Sequence, residues 1–396
     1  MKICFLTRTT LSHCLGGMEV HTYLLAKGLA ERGHQVTMIT TGHPEGKSRE
    51  DKDGFVTHFI SKSKPGKYSA LWSVLAEEKL LELHRTDKFD LIFSESAGAF
   101  WLLKKGLNFK LSLPVVVALH GIFYNELKTR LNLGLSVKNI LAVVYFLGLY
   151  LFRDLPAITK ATAVIATSAE QKRLIKKFYF MPESKVFTIF NGIDTQMTPP
   201  DKELKAKLGF KPQDKLILSM ARLKKEKGVH LAITALPQVL KHIPEAKLLI
   251  VGNGEYGPEL KKMVTKLHLE NEVRFTGTVP YAEIGKYFHL ADVFVNSTIR
   301  ENGYDLTIVQ AMAYGKVVVV SKLKSLLGVI EPGENGFLVP RGNVRELAQT
   351  LVMVLENKTL STAVGLRAQT KAREHFDVDT MISATEAVFN KVLQEK

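Results

Sequence analysis

Lys2-Ile3-Cys4-Phe5-Leu6, followed by Gly16-Gly17-Met18-Glu19-Val20-His21 and then by Gly33-His34-Gln35-Val36-Thr37-Met38-Ile39-Thr40, is the stretch on which the fold turns. Residues 3–6 form a short apolar run that reads as an extended strand. Residues 18–31 have the composition of a helix that stops at Gly33, and 35–40 return as a second strand. Strand, helix, strand in so short a span is a βαβ unit, which sets its two strands parallel.

Working outward, further continuous apolar runs stand at 91–93, 115–119 and 163–166, separated by helical or loop stretches. Runs without alternation are what strands covered on both faces look like. From 191 to 214 the chain turns polar around Pro199-Pro200, the composition of a linker. A second series then begins, with strands expected at 216–220, 248–251, 273–275, 293–296 and 317–320. The reading is α/β, with two Rossmann-like sheets and a ligand cleft beyond the carboxyl ends of their strands.

The 396 residues agree with two domains, since single cores stop growing near about 250 to 300 residues. With 46% hydrophobic and 23% charged residues the chain is neither disordered nor fibrous. Two cysteines, Cys4 and Cys14, make no disulfide framework and no zinc pattern, which points to a reducing, cytoplasmic setting. Arg8 cuts the first apolar run short of a signal peptide's apolar region. The longest uncharged apolar stretch, 140–152, covers roughly 20 Å as a helix and is expected not to span a bilayer.

The net charge of +15 is uneven: residues 101–185 carry thirteen Lys and Arg against four Asp and Glu. A basic segment beside a short apolar helix suits peripheral contact with an anionic membrane face or a phosphate-rich acceptor, and it equally suits a solvated surface. Without interleaved aromatics or a binding module, it does not read as a nucleic-acid site.

Three motifs carry chemistry. Gly252-Asn253-Gly254-Glu255-Tyr256-Gly257 has the letters of a dinucleotide turn, but Pro258 follows at once and its strand does not open the domain, so a tight turn is the default. Arg222 ends the first strand of the second series and Lys227 follows five residues on; a guanidinium and an ammonium leaving one strand end suit a diphosphate clamp, or a merely solvated loop. The third runs Ser297-Thr298-Ile299-Arg300-Glu301-Asn302-Gly303-Tyr304-Asp305-Leu306-Thr307-Ile308-Val309-Gln310-Ala311-Met312-Ala313-Tyr314-Gly315. Here a polar loop enters a helix near Leu306, whose first N–H groups make an anion site. Asp51-Lys52-Asp53, read as a polar loop, and Asp377-Val378-Asp379, opening the last helix, match a metal-binding Asp-x-Asp in letters only.

Gly16-Gly17, His120-Gly121, Ser168-Ala169-Glu170, Asn191-Gly192-Ile193-Asp194, Arg222 with Lys227-Gly228, Val251-Gly252-Asn253-Gly254, 275–279, 291–295, Gln310-Ala311-Met312-Ala313 and 335–339 occur in one order over nearly the whole chain. In this the sequence resembles the retaining glycosyltransferases of family 4 (glycosyl transferases group 1). The resemblance implies the GT-B fold, two Rossmann-like domains facing across a cleft. The expected boundaries are an acceptor-binding domain at 1–196, with a final helix at 378–396 crossing back to it, and a donor-binding domain at 197–374.

The resemblance further implies transfer of a sugar from a UDP- or GDP-sugar with retained configuration, with no cofactor and no metal. The partners it implies are the nucleotide sugar and a lipid-linked or envelope glycan acceptor. Arg222, Lys227 and His120 would be the catalytic residues. Gly16, Gly17, Arg222, Lys227, Gly254, Val279, Glu301, Asn302, Gly303, Tyr304, Asp305, Leu306, Thr307 and Gln310 would hold the donor. The family's two loop glutamates, eight positions apart, are replaced by Asn302 and Gln310, which lose a charged acceptor. Asp305 stands where glycine is usual, a place from which it could cap the helix yet crowd the phosphate. A sugar-nucleotide epimerase, a pyridoxal-dependent phosphorylase and an inactive sugar-nucleotide binder share the fold and remain alternatives.

Overall fold

The computed structural model describes residues 1–14, 16–132, 137–195, 197–300 and 305–395. The chain divides into two compact units, Met1–Gly192 with Val378–Lys396, and Ile193–Asp377. The first holds an eight-stranded sheet of β1 (Lys2–Leu6), β2 (Gln35–Thr40), β3 (Arg49–Lys52), β4 (Phe55–Phe59), β5 (Leu91–Glu95), β6 (Val115–Leu119), β7 (Ala163–Ala166) and β8 (Val186–Thr188). Its order is β3-β4-β2-β1-β5-β6-β7-β8. The second holds β9 (Lys215–Met220), β10 (Ala246–Val251), β11 (Val273–Gly277), β12 (Val293–Asn296), β13 (Val317–Ser321) and β14 (Phe337–Val339), in the order β11-β10-β9-β12-β13-β14.

Each sheet reverses direction once, at β1/β5 and at β9/β12, and a crevice opens beyond the carboxyl ends of the strands at such a point. All pairings are parallel except β3 with β4. There the sequence expectation needs correction: Asp51 and Lys52 belong to an antiparallel edge strand that turns through Asp53 and Gly54, both at positive φ. A four-residue polar segment carries no apolar signal, and pairing with β4 supplies its conformation.

Every residue of β5, β6, β7, β12 and β13 is buried, so these strands read as apolar runs, with polar residues only toward the carboxyl ends of three of them: Ser94 and Glu95 on β5, Asn296 on β12 and Ser321 on β13. Each buried Val, Ile, Leu or Phe among them contributes about 1.5 to 3 kcal/mol on leaving water. The final helix, Val378–Gln394, packs in the first unit: Phe389 meets Phe93 edge to face at 5.5 Å, and Glu386 accepts from Arg32 at 3.0 Å and from His34 at 2.7 Å.

The apolar run in the first unit is longer than its sequence suggested. Ile140–Ile158 is one helical stretch of 19 residues with mean hydropathy 1.6, long and apolar enough to cross a membrane. At 1.5 Å per residue it measures about 28 Å, against the roughly 20 Å expected from 140–152. It continues past Phe152 through Arg153, which is paired with its neighbour Asp154, Nε to Oδ1 2.5 Å, into the apolar residues 155–158. Little of the stretch is buried: Tyr150, Asp154, Ala157 and Ile158 are covered near its end, while Ile140, Leu141, Val144, Tyr145 and Phe152 face out.

Candidate functional site

In the second unit, Arg222 follows β9, and the backbone carrying it is fixed by the turn after β10. Ala221 N donates to Val251 O at 3.1 Å, Leu223 N to Asn253 O at 2.9 Å, and Tyr256 N to Leu223 O at 2.9 Å. A Cβ at Gly254 would lie 2.4 Å from Leu223 O. The glycines of the G-x-G-x-x-G stretch thus allow close approach of two backbones, with Gly257 opening the helix Gly257–Lys266. The Arg222 side chain is exposed and makes no hydrogen bond or ion pair among the described residues.

Lys227 lies in the next turn, which is stitched to the loop after β12. Ile299 N donates to Glu226 O at 2.9 Å, the Thr298 hydroxyl to the same oxygen at 3.0 Å, and the Ser297 hydroxyl to Gly228 O at 2.8 Å. This stitching delivers the Lys227 ammonium onto the Asp305 carboxylate, which also accepts from Asn296 Nδ2 at 2.9 Å. The pair is largely covered, with side-chain exposures of 12% and 20%. Burial pushes the Asp305 carboxyl upward, but the charge and hydrogen bond of Lys227 and the Asn296 amide outweigh it and hold it below the usual carboxylate range.

Asp305 is not the side-chain cap that its place in the sequence allows. It precedes the helix Leu306–Ala313, yet its carboxylate makes no cap hydrogen bond, because Lys227 and Asn296 take both oxygens. Ile308 N donates to Asp305 O at 2.9 Å, and no side chain caps the N–H groups of Leu306 and Thr307 among the described residues, next to the Lys227 and Asp305 pair. Leu306 is buried, and among the described residues the buried Thr307 hydroxyl has no partner. Gln310 is buried on the same helix with Nε2 3.4 Å from Tyr281 Oη. Val279 is buried just beyond β11. Glu301, Asn302, Gly303 and Tyr304 lie outside the described residues.

In the first unit, Gly16 precedes the helix Gly17–Glu31 in extended backbone. That helix start holds an anion of its own: buried Glu19 accepts a hydrogen bond from the Thr9 hydroxyl. His120 follows β6 and donates through Nε2 to Glu95 Oε2 at 2.6 Å; Glu95 ends β5 and is fully buried. His21, from the helix after β1, approaches Glu95 Oε1 at 3.5 Å and meets the His120 ring edge-on, centroids 4.8 Å apart. Burial lowers the His21 pKa to about 4, so its imidazole is neutral near pH 7. Burial raises Glu95, but the neighbouring His120 and His21 prevail and hold it below the usual range.

The structure thus gathers Arg222, Lys227, Asp305, Leu306 and Thr307 around the ends of β9 and β12, with Gly254 behind Arg222. Gly16, Gly17 and His120 belong to the other unit. Sequence reading missed Glu95 and His21, because residues 21, 95 and 120 share no spacing. The signal available was the pair of polar residues, Glu95 and His120, closing two buried apolar strands at the switch point.

With that geometry in place, comparison with known proteins gives a consistent result. The family described as Glycosyl transferases group 1 matches residues 200–372, and that described as Glycosyltransferase Family 4 matches 15–197. An uncharacterised glycosyltransferase of Methanocaldococcus jannaschii is 26% identical over 407 residues, 100% of this chain and 99% of its own. The phosphatidyl-myo-inositol mannosyltransferase of Mycobacterium tuberculosis is 26% identical over 357 residues, 87% of this chain and 85% of its own. The Anabaena protein HepE, solved in complex with UDP-glucose, superposes with a TM-score of 0.74 at 23% identity, covering 100% of both chains. Two parallel-sheet units, matched in turn by two glycosyltransferase family models that together span 15–197 and 200–372, make this chain a glycosyltransferase of the family 4, GT-B type.

Proposed function

We propose that the chain moves a sugar from a UDP- or GDP-sugar, with retained configuration, to a hydroxyl of a lipid-linked or envelope glycan. The observation that carries this is that Arg222, exposed and without an ion pair among the described residues, and Lys227 follow β9 while the helix Leu306–Ala313 follows the neighbouring β12, at the switch point of the second unit. In the step proposed, the anomeric C–O bond breaks and its electron pair stays on the β-phosphate oxygen. The acceptor oxygen forms the new C–O bond and its proton passes to that phosphate oxygen. Arg222 and the helix N–H groups stabilise the growing negative charge, and Lys227 joins them through the ammonium N–H groups that Asp305 does not take. Two fixed cations supply the charge that a metal would otherwise bring, so the transfer step is proposed to need none. The Anabaena protein's UDP-glucose and the mycobacterial enzyme's phosphatidylinositol support the donor and acceptor classes.

A thermal-shift panel of nucleoside diphosphates and their sugars tests the site. A ligand held at about a hundred times its Kd stabilises the fold by about 2.7 kcal/mol, a rise of several degrees. Stabilisation by neither UDP- nor GDP-sugars would refute the reading. Turnover of the sugar nucleotide without an acceptor would instead indicate an epimerase, and stabilisation without transfer to any glycan or lipid acceptor an inactive binder.

We further place the protein on the cytoplasmic face of a membrane. Its exposed apolar helix, Ile140–Ile158, lies within the segment that holds the excess basic charge. Such a helix buries apolar side chains at the headgroup boundary while Lys and Arg meet anionic lipid, each worth about 1 kcal/mol near the surface. Flotation with anionic vesicles should recover the protein at low salt and lose most of it with Leu141→Asp combined with Phe152→Asp. No flotation at low salt would remove the membrane assignment and leave the transferase reading standing.

A further inference from the structure

We propose that His21, Glu95 and His120 form a binding site for one divalent transition-metal ion of the zinc class. The three side chains come from three elements, and their ligand atoms all lie within 4.8 Å of one another. Glu95 Oε2 is 2.6 Å from His120 Nε2, and Glu95 Oε1 is 3.5 Å from His21 Nε2. Ligands held at about 2.0 to 2.2 Å around a tetrahedral ion sit roughly 3.4 Å apart, so movements near 1 Å would seat one.

The cluster is unfinished as a hydrogen-bond network. Both ring nitrogens of His21 and Oε1 of Glu95 are buried without a hydrogen-bond partner among the described residues. Unpaired buried atoms cost free energy, and a cation bound through one His21 nitrogen and Glu95 Oε1 would give two of the three a partner. Two imidazoles and one carboxylate favour Zn²⁺, Co²⁺ or Ni²⁺ over Mg²⁺ and Ca²⁺, which prefer all-oxygen shells. Three protein ligands leave a fourth position open, the pattern of exchangeable rather than closed structural sites. The site lies wholly in the first unit, and of the residues the family resemblance assigns to the reaction it uses only His120.

The test uses the full chain stripped with chelator and titrated with Zn²⁺ against a competing indicator in millimolar Mg²⁺. One ion per chain is expected, with affinity falling by at least 10-fold to 100-fold in each of His21→Ala, Glu95→Gln and His120→Ala. His13→Ala, outside the cluster, should bind as the parent does. X-ray absorption of the Zn²⁺-loaded parent should show two imidazoles with oxygen ligands, a readout that survives if a variant fails to fold. No binding in Mg²⁺, affinity undiminished in all three variants, or thiolate sulfur from Cys4 or Cys14 in the shell would each overturn the proposal.

Discussion

Lys227→Ala should lower kcat/KM for sugar transfer by roughly 10² to 10³, and Arg222→Ala by a similar factor, as removal of one preorganised charge from a developing oxyanion does elsewhere. The two differ in their effect on the fold. Arg222 is exposed and without an ion pair among the described residues, so its loss should leave thermal stability almost unchanged. Lys227 neutralises Asp305, and its removal strands a covered carboxylate. We expect a cost of roughly 2 to 4 kcal/mol, somewhat below that of breaking fully enclosed pairs. The double variant Lys227→Ala with Asp305→Ala separates the two effects. Stability should recover, since no buried charge is left alone, while transfer should remain low. Measuring melting temperature together with kcat/KM for the three variants decides it, and unaltered nucleotide affinity in both single variants would show that the site lies elsewhere.

Gly228→Ala should be among the most damaging single substitutions in the second unit. A Cβ there would stand 1.8 Å from the Ser297 carbonyl oxygen, and the backbone sits at φ +71°. The oxygen belongs to the loop that Ser297, Thr298 and Ile299 stitch to residues 226–228, so neither side can yield without breaking those bonds. A loss above about 3 kcal/mol, near 10 °C in melting temperature for a unit of this size, is expected. Nucleotide affinity should fall with it, because the same turn carries Lys227. Gly333 separates conformation from collision: its φ is +83° but nothing lies within 4 Å of an added Cβ. Gly333→Ala should therefore cost only about 1 kcal/mol. If the two variants melt alike, the close approach at Gly228 is not what holds these loops together.

Much of the fold was legible because buried parallel strands must be continuous apolar runs. Gln35–Thr40, Val115–Leu119, Ala163–Ala166 and Val293–Asn296 stand where those runs stand. The strands Arg49–Lys52, Phe55–Phe59, Val186–Thr188 and Phe337–Val339 lie at or next to the sheet edges, where pairing needs little hydrophobic pattern. In the candidate site, Arg222 and Lys227 could be picked out because both leave a strand end. The state of Lys227 could not, since the carboxylate that holds it is 78 residues away.

The amino-acid order by itself determined two successive α/β sheets, the family, and the cations near a strand end, because strand burial and loop chemistry are written in neighbouring residues. Only the tertiary structure decided that Asp305 grips Lys227 instead of capping its helix, and that His21, Glu95 and His120 meet. Those pairings depend on which strands lie side by side at each sheet's point of reversal, and contacts between distant segments leave no local pattern to read.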